Sequence, residues 1–532
     1  MHKTSSLPAL IVLSVLAASS AQAQITEVSV TGGRVGGVTA NGITSFKGIP
    51  FAAPPVGDLR WKAPQPVKTW TGVKQATKYG PSCMQDQNFV KIFGAAPELS
   101  EDCLYLNVWT PAKSAGDSLP VMVWIYGGGF VGGMTGIPMY DGTRLAEKGV
   151  VFVSVAYRLG AFGFLAHPAL SKESGKGSGN FGLQDQIAGL RWVKDNIARF
   201  GGDPSRVTIF GESAGGIAVS MLAASPAAKG LFHRAISESG GSFGPPRFAN
   251  EGGQNVPPLR VAEVAGQNFL TKLGATDIAA ARALPAEKIQ AAQGPGLGAA
   301  SAFWPVFDGD VLPRDQYELY TAGRFNDTPV LIGTNSDEGA LFAQPGVTPQ
   351  LFETFIRAGF EKHADAILVA YPHGTPAEAA KAGKDVMRDS VFAWHTWAWA
   401  LLQSQKGKSK AYVYYFDHRT SRSVSGANHG DEMAYVFRNL NVGGILGPPT
   451  PPRPEDIAMS DLMSSYWVNF AKTGDPNGPG LPQWPAFTST DQRAMHLDAK
   501  LSARPVPNMT QLKALDTYYA WRRDEIKAGR AK

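Results

Sequence analysis

A serine stands at the centre of the short motif with the clearest chemical meaning in this chain. Residues 211–215 read G-E-S-A-G, which fits G-x-S-x-G with Ser213 as its central residue. The motif follows a β-branched run at 207–210 and precedes an apolar segment at 217–222, so the predicted order is strand, turn, helix. Such a turn exposes the serine hydroxyl, and the N–H groups that begin the next helix face a developing negative charge. This context favours a nucleophilic serine over a glycine-rich turn without a chemical role.

Three consecutive glycines at 127–129 come directly after another predicted strand, at 121–125. Residues without a Cβ let backbone N–H groups approach a ligand closely, as an oxyanion hole requires. A plain turn is the alternative. The position upstream of the serine motif favours the oxyanion hole.

A nucleophilic serine also needs a base and an acid that orients the base. In strand–turn–helix units of this type the acid and then the histidine follow the serine along the chain. Six of the nine histidines lie beyond residue 340, and of these only His429 lies in a glycine-bounded polar loop, at 426–432. His395 lies in an aromatic stripe, which favours packing or a pocket wall. The acid is Glu338 or Asp337, because both follow a predicted strand at 330–332.

The elements that would position these residues are short apolar strands alternating with helices. A helix with one apolar face is predicted over 183–200 and ends at the G-G-D-P sequence of 201–204. This alternation predicts an α/β fold with a large, mixed, mostly parallel central sheet and helices on both faces. The region 250–300 is predicted to hold loops and short helices, and 447–452 an exposed loop. No repeat or long linker divides the chain, so residues 24–532 are predicted to form a single domain.

Composition excludes several classes of protein. Of the 532 residues, 44% are hydrophobic, which rules out a disordered chain. The net charge of +6 is spread without a dense basic run, so no nucleic-acid partner is expected. No run after the first 23 residues is long and apolar enough for a stable membrane insertion. The expected partner is a small molecule.

The N-terminus carries the pattern of an export signal. Residues 1–23 combine Lys3, an apolar stretch at 7–18 and an A-Q-A sequence at 21–23, so a signal peptide is predicted that ends before Gln24. A membrane anchor is the alternative, but the stretch is short for one. We therefore expect an exported protein, periplasmic or secreted.

Export makes the two cysteines informative. Cys83 and Cys103 are the only cysteines, and an oxidising compartment favours a disulfide between them over two buried thiols. Two cysteines without nearby histidines make a poor zinc site. We predict no metal and no cofactor.

The chain resembles the type-B carboxylesterase and cholinesterase group of α/β-hydrolases over essentially all of its length after residue 23. The resemblance is carried by blocks that come in the order typical of the family. They include F-K-G-I-P-F-A at 46–52, P-P-V-G at 54–57, E-D-C-L-Y-L-N-V at 101–108, W-I-Y-G-G-G-F at 124–130 and G-E-S-A-G-G at 211–216.

The resemblance implies an α/β-hydrolase fold and ester hydrolysis by a Ser213, Glu338 and His429 triad. Glu338 is preferred over Asp337 because the acid of the family precedes a glycine. The implied oxyanion hole is formed by the N–H groups of Gly128, Gly129 and Ala214.

Further residues take structural or supporting roles in the resemblance. It implies that Glu212 and Ser239 support the triad, that Cys83 and Cys103 form the N-terminal disulfide of the family, and that Arg60 pairs with Glu101.

Some relatives in this group are binding proteins that have lost the triad, whereas this chain keeps all three residues. A lipase with the segment 83–103 as its lid is a closer alternative.

Some bacterial relatives remove tricarballylate groups from fumonisin, and a mildly basic site with His233, Arg234, Arg247 and Arg260 nearby would suit such polycarboxylate esters. A broad esterase for small neutral esters is the simpler expectation.

Overall fold

The apolar runs of the sequence lie side by side in one sheet. The computed structural model describes residues 24–91, 96–248, 255–294, 303–420, 423, 425–442 and 450–530. The predicted signal peptide and residues 447–449 of the predicted loop at 447–452 lie outside these residues, and 450–452 have no regular secondary structure, as expected of a loop. The described chain contains an eleven-stranded sheet, whose strands we number in chain order. They are β1 (Val38–Ala40), β2 (Ile43–Pro50), β3 (Tyr105–Thr110), β4 (Leu119–Ile125), β5 (Val151–Val155), β6 (Gly202–Glu212), β7 (Arg234–Glu238), β8 (Val330–Asn335), β9 (Ala411–Phe416), β10 (Arg493–Leu497) and β11 (Ser502–Pro505).

The spatial order of the strands is β11-β10-β9-β8-β7-β6-β4-β5-β3-β2-β1. The consecutive pairs from β10 to β5 are parallel, and the flanking pairs are antiparallel. Continuous burial of β4, β5 and β8 explains why these strands read as unbroken apolar runs. Because parallel strands end at the same edge, the segments after β4, β6, β8 and β9 leave the sheet on one side.

Helices of varied length surround the sheet. The α-helices are Gln87–Lys91, Thr143–Ala146, Gly160–Phe164, Pro168–Ser174, Phe181–Asn196, Ala214–Ala224, Leu259–Leu273, Ile278–Arg282, Ala286–Gln293, Gln316–Thr321, Pro349–Phe360, Ala364–Ala370, Pro376–Arg388, Trp394–Lys406, Met433–Val436, Pro454–Thr473 and Met509–Lys527. None of the described helices is both long and apolar enough to cross a membrane. The mostly parallel sheet surrounded by helices confirms the predicted α/β-hydrolase fold.

Two boundaries differ from the sequence prediction. The strand expected at 207–210 extends over Gly202–Glu212, with a register shift between Gly202 and Val207. The region 250–300, expected to hold only loops and short helices, contains the 15-residue helix Leu259–Leu273. Its apolar face is built partly from small residues, and Gly266 packs so closely that a Cβ would meet the Ala166 carbonyl at 1.8 Å.

Candidate active site

The turn between β6 and the helix Ala214–Ala224 holds Ser213 in a strained backbone conformation. Ser213 has φ 54° and ψ −124°, a positive-φ backbone conformation that residues other than glycine rarely adopt. The glycines on either side make this turn possible. A Cβ on Gly211 or Gly215 would lie 2.5 Å or 2.0 Å from the Ile125 carbonyl oxygen of β4. The sequence therefore folds here into the sharp strand-to-helix turn that a G-x-S-x-G motif predicts.

The imidazole of His429 and the carboxylate of Glu338 lie in direct contact. His429 Nδ1 is 2.6 Å from Glu338 Oε2, and both side chains are almost fully buried. Glu338 follows β8, and its other oxygen accepts hydrogen bonds from the Ser239 hydroxyl at 2.5 Å and the Asn335 N–H at 2.7 Å. These bonds fix the carboxylate so that it holds one tautomer and one orientation of the ring.

A second carboxylate faces the opposite nitrogen of the same ring. His429 Nε2 lies 3.1 Å from Glu212 Oε1, which is buried and accepts no hydrogen bond in the described chain. Burial alone would lower the pKa of His429, but Glu212 and Glu338 outweigh it and raise that pKa to about 9. Glu212 is an acid, so burial has the opposite effect on it. Burial raises the pKa of Glu212 to about 7, although the positive charge of His429 acts to lower it.

The structure brings His429 together with Glu338 and Glu212, but it does not join His429 to Ser213 by a hydrogen bond. Within the described chain the Ser213 hydroxyl has no hydrogen-bond partner. Catalytic hydrogen bonds of this kind are often long without a substrate and tighten when one is bound.

The glycine turn after β4 lies beside Ser213. A Cβ on Gly127 would come within 3.0 Å of the Ser213 Cβ. Gly128 and Gly129 have φ +107° and +61°, and the carbonyl of Gly128 accepts the N–H groups that follow the turn. In the described chain the N–H groups of Gly128, Gly129 and Ala214 have no protein acceptor. These three donors are available to an oxyanion.

Two buried acids that sequence reasoning missed lie behind the triad. Glu432 lies 3.4 Å from the Ser239 hydroxyl and accepts a hydrogen bond from Asn335. Glu238 accepts a hydrogen bond from Trp467 at 2.7 Å, while its second oxygen has no partner in the described chain. Burial raises the pKa of Glu238 to about 8 and that of Glu432 well above its ordinary value. Glu432 lies three residues after His429, and that spacing was the signal that could have found it.

The rivals considered for the triad lie elsewhere. Asp337 accepts a hydrogen bond from Ser425 at 2.5 Å and, within the described residues, makes no hydrogen bond or ion pair with His429. His395 is buried, its Nδ1 accepts the Phe243 N–H at 2.9 Å, and burial lowers its pKa to about 3. It has the packing role that its aromatic surroundings predicted.

Two phenylalanines flank the His429 ring. The Phe392 ring is 4.6 Å away between centroids and is buried, within the π-helical segment Asp389–Ala393. The Phe342 ring is 5.2 Å away and remains 39% exposed. The ring therefore has apolar neighbours as well as charged ones, and one of them borders solvent.

Cys83 and Cys103 form a disulfide, as predicted. Phe89 of the enclosed segment lies against the glycine turn, since Cβ atoms on Gly128 and Gly132 would meet its ring. The disulfide loop thus lies at the edge of the site. The predicted pairing of Arg60 with Glu101 is also present, with a 2.6 Å hydrogen bond from Nε.

The basic residues named in the sequence analysis do not cluster at Ser213. Arg234 begins β7, whereas the Ser213 N–H bonds the carbonyl of Glu238 at the other end of that strand. A five-residue strand separates them, roughly 13 Å. The expectation that His233 and Arg234 lie near the site was therefore wrong. Arg247 is buried, and Arg260 is exposed on the first turn of the helix Leu259–Leu273.

In the described chain, no group of three or more His, Cys, Asp or Glu side chains is arranged to hold a metal ion.

Residues 22–515 match the model of the carboxylesterase family. The chain is 39% identical to fumonisin B1 esterase of Sphingopyxis macrogoltabida, over 86% of this chain and 83% of the relative. It is 36% identical to para-nitrobenzyl esterase of Bacillus subtilis, over 91% of this chain and 97% of the relative. A solved PNB esterase structure superposes with a TM-score of 0.80 at 34% identity and covers 92% of this chain and 99% of its own.

Proposed function

The chain belongs to the carboxylesterase family, and from that premise we propose that Ser213, His429 and Glu338 carry out its ester hydrolysis. Membership makes the protein a carboxylic ester hydrolase that works through a serine. The observation that carries the residue assignment is the contact of 2.6 Å between His429 Nδ1 and the buried Glu338 carboxylate, beside the strained turn that presents Ser213.

The mechanism begins when neutral His429 accepts the hydroxyl proton through Nε2 while Ser213 Oγ attacks the ester carbonyl. Glu338 holds the ring and stabilises the imidazolium that forms. The N–H groups of Gly128, Gly129 and Ala214 bind the oxyanion of the tetrahedral intermediate, and one such donor is typically worth ~10²–10³ in rate.

Collapse of the intermediate breaks the bond to the alcohol, and His429 gives its proton to the leaving oxygen. Water then attacks the acyl-enzyme with His429 again as base, which releases the carboxylic acid and restores Ser213. Glu212 lies on the Nε2 side and stabilises the positive ring in both steps.

Kinetics of Ser213→Ala on p-nitrophenyl acetate test the assignment. We expect kcat to fall by several orders of magnitude, about 10⁶ in a comparable triad, while the variant stays folded. Asp337→Asn is the matched control, because Asp337 neighbours the triad acid but bonds Ser425 instead. Turnover by folded Ser213→Ala close to that of the unchanged protein would refute the proposal.

We propose small neutral esters as the ordinary substrates and polycarboxylate esters as a second class. The relative named fumonisin B1 esterase favours the second class. Arg234 lies at the end of β7 that is remote from Ser213. This position weakens the argument that positive charge near the site favours polycarboxylate esters.

A matched panel of acetate, butyrate, benzoate, hemisuccinate and tricarballylate esters separates the two classes. If kcat/KM for hemisuccinate and tricarballylate esters exceeds that for butyrate and declines with salt, the polycarboxylate class is supported. Lower values than butyrate at low salt would exclude it.

We also propose that the protein is exported after cleavage before Gln24. The disulfide supports this, since such bonds persist in oxidising compartments. Mass spectrometry of protein recovered from the periplasm or medium of a bacterial host should show Gln24 as the first residue. Recovery of the chain only in the cytoplasm with residues 1–23 retained would contradict it.

A further inference from the structure

A surface cleft lies at the opposite end of the helix that follows Ser213. Its volume is about 670 Å³, and its wall includes Ala224, the last residue of the helix Ala214–Ala224. That helix has 11 residues and is therefore about 16 Å long. The wall also includes Thr328, two residues before β8 begins, whereas Glu338 follows the other end of β8. We call this cleft, lined by residues from 224–232 and 313–328, the distal cleft.

Three exposed cations line the distal cleft: Lys229, Arg314 and Arg324. None of their side chains makes a hydrogen bond or ion pair within the described chain. Asp327 is the one carboxylate in the lining, and its oxygens accept the N–H groups of Lys408 at 2.7 Å and Ser409 at 3.2 Å. The acid is thus held by the neighbouring turn and forms no ion pair with any of the three cations, so the charged groups of the lining remain positive on balance.

The cations are not needed to complete the helix ends at this cleft. Cations often neutralise the free carbonyl groups at a helix C-terminus. At the C-terminus of the helix Ala214–Ala224, the side chain of Asn326 takes this role. It donates hydrogen bonds to the Leu222 and Ser225 carbonyls at 3.0 and 2.8 Å. Its backbone N–H bonds the carbonyl of Ala223 at 2.8 Å. The backbone N–H of Arg324 likewise bonds the Leu319 carbonyl at 2.8 Å.

Apolar side chains form another part of the lining. Phe232 and Leu319 are buried, and Phe325 is held in place by stacking on Tyr320 at 3.9 Å between ring centroids. A ligand that combines an anionic head with a hydrocarbon part would match both the cations and the apolar side chains of the lining.

We propose that the distal cleft binds an amphipathic carboxylate, an organic acid anion with a hydrocarbon chain. Its head pairs with Lys229, Arg314 and Arg324, and its hydrocarbon chain lies on the accessible apolar groups of the lining, Phe325 and Pro226. Hydrolysis of a carboxylic ester releases an anion of this class, so such ligands arise from the protein's own reaction. The cleft is separate from Ser213, and its occupancy does not depend on the roles assigned to the triad.

Calorimetric titration of Ser213→Ala protein with hexanoate, octanoate and decanoate tests the proposal without turnover. We expect affinity to rise with chain length, by up to about fourfold for each methylene buried. Octanol has the same chain without the charge and should bind about tenfold more weakly, as loss of charge-assisted contacts predicts.

A triple variant localises the binding. In the Ser213→Ala background, K229Q/R314Q/R324Q should weaken octanoate binding at least about tenfold. The control K172Q/K288Q/K513Q removes three exposed lysines that do not line the cleft and should leave binding unchanged. With Ser213 restored, the cleft variant should keep its activity on p-nitrophenyl acetate. Absence of octanoate binding, or equal binding by the two triple variants, would overturn the proposal.

Discussion

His429 lies between two carboxylates, one on each ring nitrogen. Both nitrogens face oxygens, at 2.6 Å for Glu338 and 3.1 Å for Glu212, which favours the doubly protonated ring. The ordinary pKa of a histidine side chain is ~6.5. The two acids raise its pKa to about 9 despite burial, so the pH at which it becomes a base shifts upward.

The acid limb of kcat/KM should therefore lie well above pH 6.5 for a chemistry-limited ester. Only neutral His429 can accept the Ser213 proton, so the rate rises as pH rises through the pKa of the ring. Glu212→Gln removes one negative charge from the Nε2 side and should move the limb to lower pH. A stopped-assay pH series from 5 to 10 measures the acid limb of the unchanged protein and that of Glu212→Gln. Asp337→Asn is the control and should have the same acid limb as the unchanged protein. An identical limb in Glu212→Gln would rule out this electrostatic account.

Most residues of the site could be found from the sequence because each lies in a short local motif. Ser213, the glycines at 127–129 and His429 are all of this kind. Glu238 and the contact of Glu212 with Nε2 could not be found, because they depend on how separate strands meet. Glu212 and Glu238 are register partners on the parallel strands β6 and β7, which no local pattern reveals.

At the scale of elements, the disulfide loop should stabilise the fold and shape access to the site. The bond joins residues 20 positions apart, and closing such a loop is worth about 3 kcal/mol in the chain-entropy model. We expect the double variant C83S/C103S to lose roughly that much in free energy of unfolding. KM should change more than kcat, because the disulfide loop lies at the edge of the site, where it borders bound substrate and carries none of the triad residues. Chemical denaturation and steady-state kinetics measure the two effects, and unchanged stability would show that the bond contributes nothing.

The turn after β6 depends on the absence of a side chain at Gly215. A Cβ there would lie 2.0 Å from a backbone oxygen of β4, which cannot move aside. Gly215→Ala should therefore destabilise the protein by several kcal/mol, beyond the ~1–3 kcal/mol typical of overpacking. Gly359→Ala is the matched control, because that helical glycine has open space around it and should be neutral or slightly stabilising. Equal melting temperatures for the two variants would contradict the steric argument.

Elements with strong apolar periodicity were predictable, and the exception has a physical cause. The strands β4, β5 and β8 are buried on both sides and therefore leave continuous apolar runs in the sequence. The helix Leu259–Leu273 was missed because part of its packing face is formed by Ala262 and Gly266. Close backbone approach at these small residues takes the place of a row of large side chains.

For the whole molecule, the parallel sheet concentrates acids in its interior. Glu212 and Glu238 end β6 and β7, and Glu338 and Glu432 follow β8 and β9, so four acids lie at one edge of the sheet. Burial there raises the pKa of Glu212 and Glu238. Asp315 is another buried acid, and burial raises its pKa to about 6. Between the ordinary and the raised pKa values the folded state keeps protons that the unfolded chain releases, so stability should decline as pH rises through the mildly acidic and neutral range.

Glu238→Gln should show this effect for one group. The pKa of Glu238 is raised from 4.5 to about 8 in the folded protein, so between these values the folded state keeps a proton that the unfolded chain has released. The free energy of unfolding then falls as pH rises through that window. A glutamine does not titrate, so this loss is absent in the variant. The Tm of Glu238→Gln relative to the unchanged protein should increase from pH 5 to pH 8.5. For the exposed Glu287→Gln, the difference in Tm from the unchanged protein should not change with pH. A pH-independent difference in Tm for Glu238→Gln as well would contradict the prediction.

Labelling with a fluorophosphonate probe tests most directly whether Ser213 is the nucleophile of ester hydrolysis. The probe should attach in a one-to-one ratio to the peptide containing residues 211–216, as read by mass spectrometry. Loss of p-nitrophenyl acetate hydrolysis should follow the same time course as labelling, and Ser213→Ala should remain unlabelled. Labelling of a different residue that accompanies inactivation, or full activity after complete labelling of Ser213, would contradict the account.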